Sequence, residues 1–187
     1  MSWYKRDLTP YKAAMASALA ALFFSCAETP PSAARKQDTR FDIPGYFKAE
    51  IARLNQSLPT VNKTVVKDSL SESKTLKISN WTDELASFST VDLNKPAYSG
   101  LLKKDSTANK IVYTATDPKI DISKVEITFT SENKPKAFVI ERTIKNSLYQ
   151  TKEVLKYQAD SAYSLNKSQS VLLLGDRQYQ IESAFVH

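Results

Sequence analysis

The stretch Val125-Glu126-Ile127-Thr128-Phe129 alternates apolar and polar side chains, and it decides the fold of the C-terminal part of the chain. Successive side chains of a β-strand point to opposite faces, so a period of two predicts a strand with one apolar and one polar face. The alternation returns at Tyr179, Ile181 and Phe185. We therefore expect a sheet that is covered on one face and wet on the other.

Further segments fill the space around these two strands. They lie at residues 111–116, 138–144, 148–157, 162–166 and 171–174. Turn-forming residues separate them at 132–135, 145–147, 159–161 and 175–176. Because these connections are too short for crossover helices, we expect antiparallel neighbours in a meander.

The preceding region carries helical patterning. Phe47, Ile51, Leu54 and Leu58 share one helical face, which predicts a helix over residues 41–58 that ends before a proline.

A hairpin with a polar tip at 68–73 is expected next, within residues 61–79. A second, shorter helix is expected from Trp81 to about Val91, with Trp81, Leu85 and Phe88 on one face. The predicted fold class is α+β: a curved antiparallel β-meander of about six to eight strands, covered by the two N-terminal helices.

The N-terminus reads as an export signal. Lys5, Arg6 and Lys12 precede an uncharged run at residues 13–24, which is too short to span a bilayer but suits a signal peptide. The run ends in Ser25-Cys26, which resembles the lipobox of bacterial lipoproteins. That resemblance implies cleavage between Ser25 and Cys26 and acylation of Cys26, the only cysteine in the chain.

These observations divide the chain into a lipoprotein signal peptide at 1–25, a flexible tether at 26–40 and a single α+β domain at 41–187. Two or three acyl chains anchor a protein stably without a spanning helix. Ala27 follows the predicted lipidated residue, and by likeness to other Gram-negative sorting it favours the outer membrane. We expect the periplasmic leaflet of a Gram-negative cell envelope.

Composition excludes several classes of function. The 187 residues carry a formal charge of +6, but three of the basic residues lie in the predicted signal, and no basic block follows. We expect no nucleic-acid partner. One cysteine, one histidine (His187) and three glycines argue against a cysteine or histidine metal site, a histidine triad and a glycine-rich phosphate loop, so no metal and no cofactor are expected.

A family resemblance covers most of the predicted mature chain. It is carried by Phe41-Asp42-Ile43-Pro44-Gly45-Tyr46-Phe47, Trp81-Thr82-Asp83-Glu84-Leu85, Asn94-Lys95-Pro96-Ala97-Tyr98, Ser147-Leu148-Tyr149-Gln150 and Tyr163-Ser164-Leu165. These strings resemble a group of uncharacterised small lipoproteins of Bacteroidota. The expected architecture is also loosely similar to the half-barrels of the lipoprotein-carrier (Lol-type) proteins. Both likenesses imply a location and a fold, not an activity.

Catalytic patterns are weak. Ser-x-x-Lys occurs at Ser71/Lys74, Ser131/Lys134 and Ser164/Lys167, but in predicted turns and strands rather than at the start of a helix. The neighbouring acids Asp83 and Glu84 diverge by about 100° on a helix. We therefore expect no catalytic residues and no enzyme.

Two weaker features remain. Asp-Ser-Leu, Asp-Ser-Thr and Asp-Ser-Ala resemble the O-glycosylation sequon of Bacteroidota, which implies Ser69, Ser106 and Ser161 as possible sugar sites in turns. Tyrosines on the strands either pack the core or line a concave face that holds a ligand.

The predicted function is that of a lipid-anchored envelope protein that binds a partner protein or a hydrophobic ligand without catalysis. The alternatives are an envelope hydrolase that uses Asp/Glu or Ser/Lys residues, and a purely structural envelope protein.

Overall fold

The structure, a computed structural model, describes residues 39–173 and 175–186. Its first element is the helix α1 (Ile43–Ser57). The Asp42 side chain caps it by accepting a hydrogen bond of 2.9 Å from the Gly45 amide. Leu58 ends it in the left-handed conformation, with φ of 44° and its N–H donating to Leu54. The helix predicted over residues 41–58 is confirmed, with bounds shifted by one or two residues.

Nine strands follow within the described ranges, and they form one antiparallel sheet. Their bounds are β1 (Thr60–Lys67), β2 (Leu70–Lys77), β3 (Leu102–Ser106), β4 (Lys110–Ala115), β5 (Ile122–Phe129), β6 (Pro135–Lys145), β7 (Tyr149–Gln158), β8 (Ala162–Val171) and β9 (Gly175–Phe185). The spatial order is β2-β1-β9-β8-β7-β6-β5-β4-β3. The α+β class and the antiparallel sheet are confirmed.

The expected strand count was wrong, because the sequence pattern missed the exposed edge. Strand β3, Leu-Lys-Lys-Asp-Ser, shows no apolar alternation because four of its five residues are exposed. The N-terminal hairpin also belongs to the sheet, because β1 pairs with β9 from Val61↔Phe185 to Lys67↔Tyr179. The polar tip expected at 68–73 shrinks to the turn at 68–69, since β2 is almost wholly exposed and needs no apolar residues.

The placement of the second helix was wrong as well. Two single-turn helices, α2 (Trp81–Glu84) and α3 (Ala86–Ser89), stand between β2 and β3. Leu85 separates them with φ of −101° and ψ of 14°. The serines and threonine around Ala86 are poor helix formers, so helical geometry does not propagate further. A short 3₁₀ turn at Pro96–Tyr98 leads into β3.

The strand expected at residues 171–174 was also wrong. β8 ends at Val171, and Leu172 and Leu173 form the turn to β9. An unbroken run of Val and Leu looks like a buried strand in sequence, but Gly175, with φ of 80°, allows the chain to reverse here.

Helix α1 and the segment from Trp81 to Tyr98 pack on one face of the sheet. Phe47, at the centre of α1, lies 5.2 Å from the ring centroids of Phe88, Phe138 and Tyr157. Trp81 stacks on Phe185 at 5.7 Å. This face contains the hydrophobic core, and the opposite face has no covering element among the described residues.

Replacing Phe47 by alanine tests this arrangement. Its side chain is fully buried between helix and sheet, so Phe47→Ala should lower the free energy of unfolding by about 3–5 kcal/mol. Urea denaturation followed by circular dichroism measures the loss. Lys48→Ala, one residue on and exposed, should change it by less than about 0.5 kcal/mol. Equal losses in both variants would contradict the packing described.

Candidate functional site

Polar contacts under α1 join the helix to the sheet. Glu50 is buried, accepts a short hydrogen bond from the Tyr157 hydroxyl and pairs with Arg53 at 2.6 Å. Arg53 also reaches Asp160 at 2.7 Å. Burial raises the pKa of Glu50, but hydrogen bonds from Arg53 and Tyr157 outweigh burial and leave it below its ordinary value. Glu50 is therefore held as a paired carboxylate.

The same pairing of a carboxylate with a tyrosine hydroxyl recurs twice. Glu84 accepts hydrogen bonds from Lys63 at 2.6 Å and from the Tyr163 hydroxyl at 2.7 Å. Asp121 accepts a short hydrogen bond from the Tyr98 hydroxyl. In each case a tyrosine hydroxyl and a carboxylate tie a covering segment or a loop to its neighbour.

These tyrosines stay protonated over a wide pH range. Burial, followed by the neighbouring carboxylate, raises the pKa of Tyr157 and of Tyr98 well above the ordinary value. Burial and then the charge of Glu50 raise the pKa of Tyr46 to about 12. Burial likewise raises the pKa of Tyr163. Such hydroxyls act as hydrogen-bond donors and do not exchange protons near neutral pH.

A charged row crosses the core-side face beyond the helices. Glu153 on β7 is buried and lies 3.3 Å from Arg142 on β6 and 3.6 Å from Lys167 on β8. Register places the three residues directly opposite one another. The two bases neutralise the buried carboxylate of Glu153, so the row holds a paired acid rather than presenting a reactive one.

The opposite face of the sheet carries a groove of about 540 Å³ that crosses five adjacent strands, from β6 to β1. Register aligns Ala137, Ala162 and Ala184 in one row with Gln158 and Asn62. The alanines are short, so they leave a depression between longer neighbours. The groove is lined by side chains of this row and of the adjacent row: Asn62, Thr64, Ala137, Val139, Lys156, Gln158, Ala162, Ser164, Glu182 and Ala184.

The groove has mixed polarity. Lys156 on β7 and Glu182 on β9 stand in the row beside the alanines, with Ser164 between them. Further along the same row, Glu126 meets Lys110 at 3.3 Å and Lys124 at 3.4 Å. Both signs of charge therefore flank an apolar floor, an arrangement suited to a protein segment and unsuited to a polyanion.

The residues expected to carry modifications fall in two places. Ser25 and Cys26 lie outside the described residues, so their cleavage and acylation stay predictions. Ser69 lies in the β1–β2 turn and is exposed, Ser106 ends β3 and is exposed, and Ser161 lies half-buried in the β7–β8 turn. All three lie at strand ends; their glycosylation stays a prediction.

The candidate catalytic pairs do not come together. Ser71 and Lys74, like Ser164 and Lys167, are three apart on a strand, so their side chains point to opposite faces. Glu84 binds Lys63, whereas Asp83 accepts from the Asn80 amide group at 2.7 Å. His187 lies outside the described residues.

Sequence reasoning missed the groove and the charged row. Ala137, Ala162 and Ala184 look unremarkable one at a time, because only strand register shows that they are neighbours. Strand positions that face away from the core usually carry longer polar residues. Small residues at such positions are the pattern that could have indicated the floor of the groove.

Comparison with known proteins returned no match to a family model, to a curated protein or to a solved structure. No helix in the described ranges is long and apolar enough to cross a bilayer. Within the same residues, no group of three or more His, Cys, Asp and Glu side chains is placed to hold a metal ion. The groove is therefore judged on its own geometry.

The buried tyrosines predict an alkaline limit to stability. Their pKa values are raised in the folded chain, so the unfolded chain loses its phenolic protons first, from about pH 10. Stability should be fully present below pH 10 and should fall above it, by about 1.4 kcal/mol per pH unit for each tyrosine that stays protonated. Urea denaturation from pH 8 to 11 measures the slope.

Tyr157→Phe should make that alkaline slope shallower. Ile51→Val is the control, because it removes a core methylene without removing a titrating group, and should lower the whole curve without changing its slope. An unchanged slope in Tyr157→Phe would contradict the assignment.

Proposed function

We propose that the chain is a lipid-anchored cell-envelope protein whose domain binds a partner protein through the uncovered face of its sheet, without catalysis. The observation that carries the proposal is the groove of about 540 Å³ across β6, β7, β8, β9 and β1. It lies on the face opposite α1, where the described residues leave the sheet bare.

Binding is favoured over catalysis by the pairing of two buried acids and one half-buried acid. Glu50, Glu84 and Glu153 each have a basic partner within 3.6 Å. A general acid–base pair needs two carboxyl groups that converge on one space with different proton affinities. These three acids face separate partners instead.

A protein partner is favoured over a hydrophobic ligand by where the aromatic residues lie. Tyr113, Tyr157 and Tyr163, which could have lined an acyl-chain site, are buried against α1 and the segment that follows it. The space such a ligand would need on that face is filled by Phe47 and Phe88. The groove on the other face instead offers Lys156, Glu182 and amide side chains around its floor.

The location is proposed from the sequence. Acylation of Cys26 after removal of residues 1–25 would hold the domain on the periplasmic side of the outer membrane, with residues 26–40 as tether. Sugars at Ser69, Ser106 and Ser161 belong to the same proposal. Curvature of the sheet is also part of this proposal. It is supported by the twist of β-strands and by the two register shifts in the pairing of β5 with β6.

The groove can be tested by site-specific photo-crosslinking in cells. A benzoylphenylalanine at Ala184, in the floor, should give a discrete adduct with a partner protein in the full-length chain. Ala162→Arg, which fills the groove from the neighbouring strand, should reduce that adduct at least tenfold. Immunoblotting after irradiation measures the adduct.

The same photoprobe at Lys48, exposed on the helix side, is the matched control. An adduct of equal yield from Lys48, or one from Ala184 that survives Ala162→Arg, would contradict the groove as the binding site. Circular dichroism of the Ala162→Arg chain checks that the fold is kept.

The anchor is tested separately by Cys26→Ser. Without the thiol no acyl chain can be added, so the lipoprotein cleavage before residue 26 should fail and the acyl mass should vanish. Mass spectrometry of the protein from membrane and soluble fractions measures both. An unmodified Cys26 thiol in the exported wild-type chain would disprove the anchor and leave the groove proposal intact.

A further inference from the structure

Four leucines of the described residues are at least 66% exposed; one of them, Leu70 (76%), begins β2, and the other three gather at one point of the sheet. Leu173 is 96% exposed, Leu172 67% and Leu148 66%. Leu148 lies in the β6–β7 turn, and Leu172 and Leu173 lie in the β8–β9 turn. The two turns touch, because the Leu172 amide donates to the Leu148 carbonyl at 3.0 Å. We call these three residues the leucine tip.

The leucine tip stands on a projection of four strands. β5 begins its pairing with β6 at Arg142, and β1 ends its pairing with β9 at Tyr179. Residues 144–151, 169–173 and 175–177 therefore extend beyond the strands on either side. The tip is a protruding point rather than a wall of a pocket.

The opposite end of the sheet provides an internal comparison. Its turns, at residues 107–109, 130–134 and 159–161, contain no Leu, Ile, Val or aromatic residue. Turns exposed to water are ordinarily built from such polar residues. The leucine tip thus departs from the rule that the three turns at the polar end follow.

Leu173 also holds an unfavourable backbone. Its φ is 70°, in the left-handed region that glycine and asparagine adopt far more readily than leucine. Asn133 and Asp160 occupy the corresponding conformation in turns at the polar end. An exposed leucine in that conformation gains nothing from the core in return for the strain.

Charge around the projection favours an anionic surface. Lys145, Lys152 and Arg177 are exposed on it, against one acid, Asp176. Tyr149 is half-buried directly behind Leu148. Proteins enter the interface of a phospholipid bilayer through exposed apolar side chains that have an aromatic residue behind them and basic residues around them.

We propose that the leucine tip inserts into the interface of a bilayer containing anionic phospholipid, with Lys145, Lys152 and Arg177 near the headgroups. A protein pocket is the less suitable occupant, since protein hot spots favour Trp, Tyr and Arg and under-represent leucine. The inference goes beyond partner binding through the groove, which lies at the other end of these strands, beside the β7–β8 turn. It uses the proposed lipid anchor only to bring the domain to the surface.

Depth-dependent quenching tests the proposal on the processed full chain. An environment-sensitive nitrobenzoxadiazole probe is attached at Ser147→Cys, beside Leu148, and the chain is mixed with phosphatidylglycerol–phosphatidylethanolamine vesicles. Lipids with a doxyl group on the acyl chain should quench this probe. The unsubstituted chain, labelled in parallel, reports any signal from Cys26.

Ser131→Cys in the β5–β6 turn is the matched control, because it is the same exchange in an exposed turn at the polar end. Its probe should stay unquenched. Leu148→Gln, Leu172→Gln and Leu173→Gln together should lower quenching at position 147 at least tenfold, since each leucine removed from the interface weakens insertion several-fold. Replacing Lys145, Lys152 and Arg177 by glutamine should weaken it on anionic vesicles at low salt and leave uncharged vesicles unaffected.

Flotation of the vesicles separates this result from the anchor. Chains that float while the probe at 147 stays unquenched would overturn the leucine tip and leave the anchor standing. Equal quenching at 131 and 147 would overturn it too, because it would show general adsorption. A probe at 147 that is shielded only when a purified envelope protein is added would assign the tip to that protein and overturn insertion.

Discussion

The structure depends on covering one face of a sheet for which the described residues supply a single helix of more than one turn, α1. α1 does so through Phe47, which reaches the rings of Phe88, Phe138 and Tyr157 at once. Apolar burial does not fix direction, and a helix on a sheet can slide or rotate at little cost. Glu50 removes that freedom, because its hydrogen bond to Tyr157 and the ion pair between Arg53 and Asp160 form only in one position. Apolar area holds the layers together, and buried pairs set their alignment.

The use of buried pairs to align the layers explains why the acids under the helices are not placed for acid–base chemistry. Each carboxylate brought under the helices is paired, and each tyrosine hydroxyl beside it is kept neutral by burial and by that negative charge. A site that must change protonation near neutral pH needs the opposite, a group left incompletely paired.

The sequence predicts this fold wherever burial leaves a pattern. Phe47, Ile51 and Leu54 define α1 because the helix has one buried side, and Val125 and Ile127 define β5 for the same reason. The sequence pattern did not indicate β3, because an exposed edge strand needs no apolar residues. Residues 171–174 misled because a continuous run of Val and Leu signifies a buried strand in most chains, whereas Leu172 and Leu173 lie in an exposed turn.

The groove could not be predicted from sequence for a different reason. Ala137, Ala162 and Ala184 become one surface only after four strands, β6 to β9, find their register, and no local pattern encodes that alignment. Ser-x-x-Lys shows the converse, since a suggestive spacing on a strand separates the two side chains. Residues on one strand can be placed from sequence, but residues that meet across strands cannot.

The position of β1 has a consequence for the order of assembly. From β3 to β9 every strand lies beside the strand next to it in sequence, so those contacts form between near neighbours along the chain. β1 is the exception, because its partner β9 comes after the other eight described strands in the chain. The first hairpin therefore waits, with one edge unpaired, until the C-terminus has arrived. If synthesis stops before residue 175, β9 is missing and the free edge of β1 has no strand to pair with.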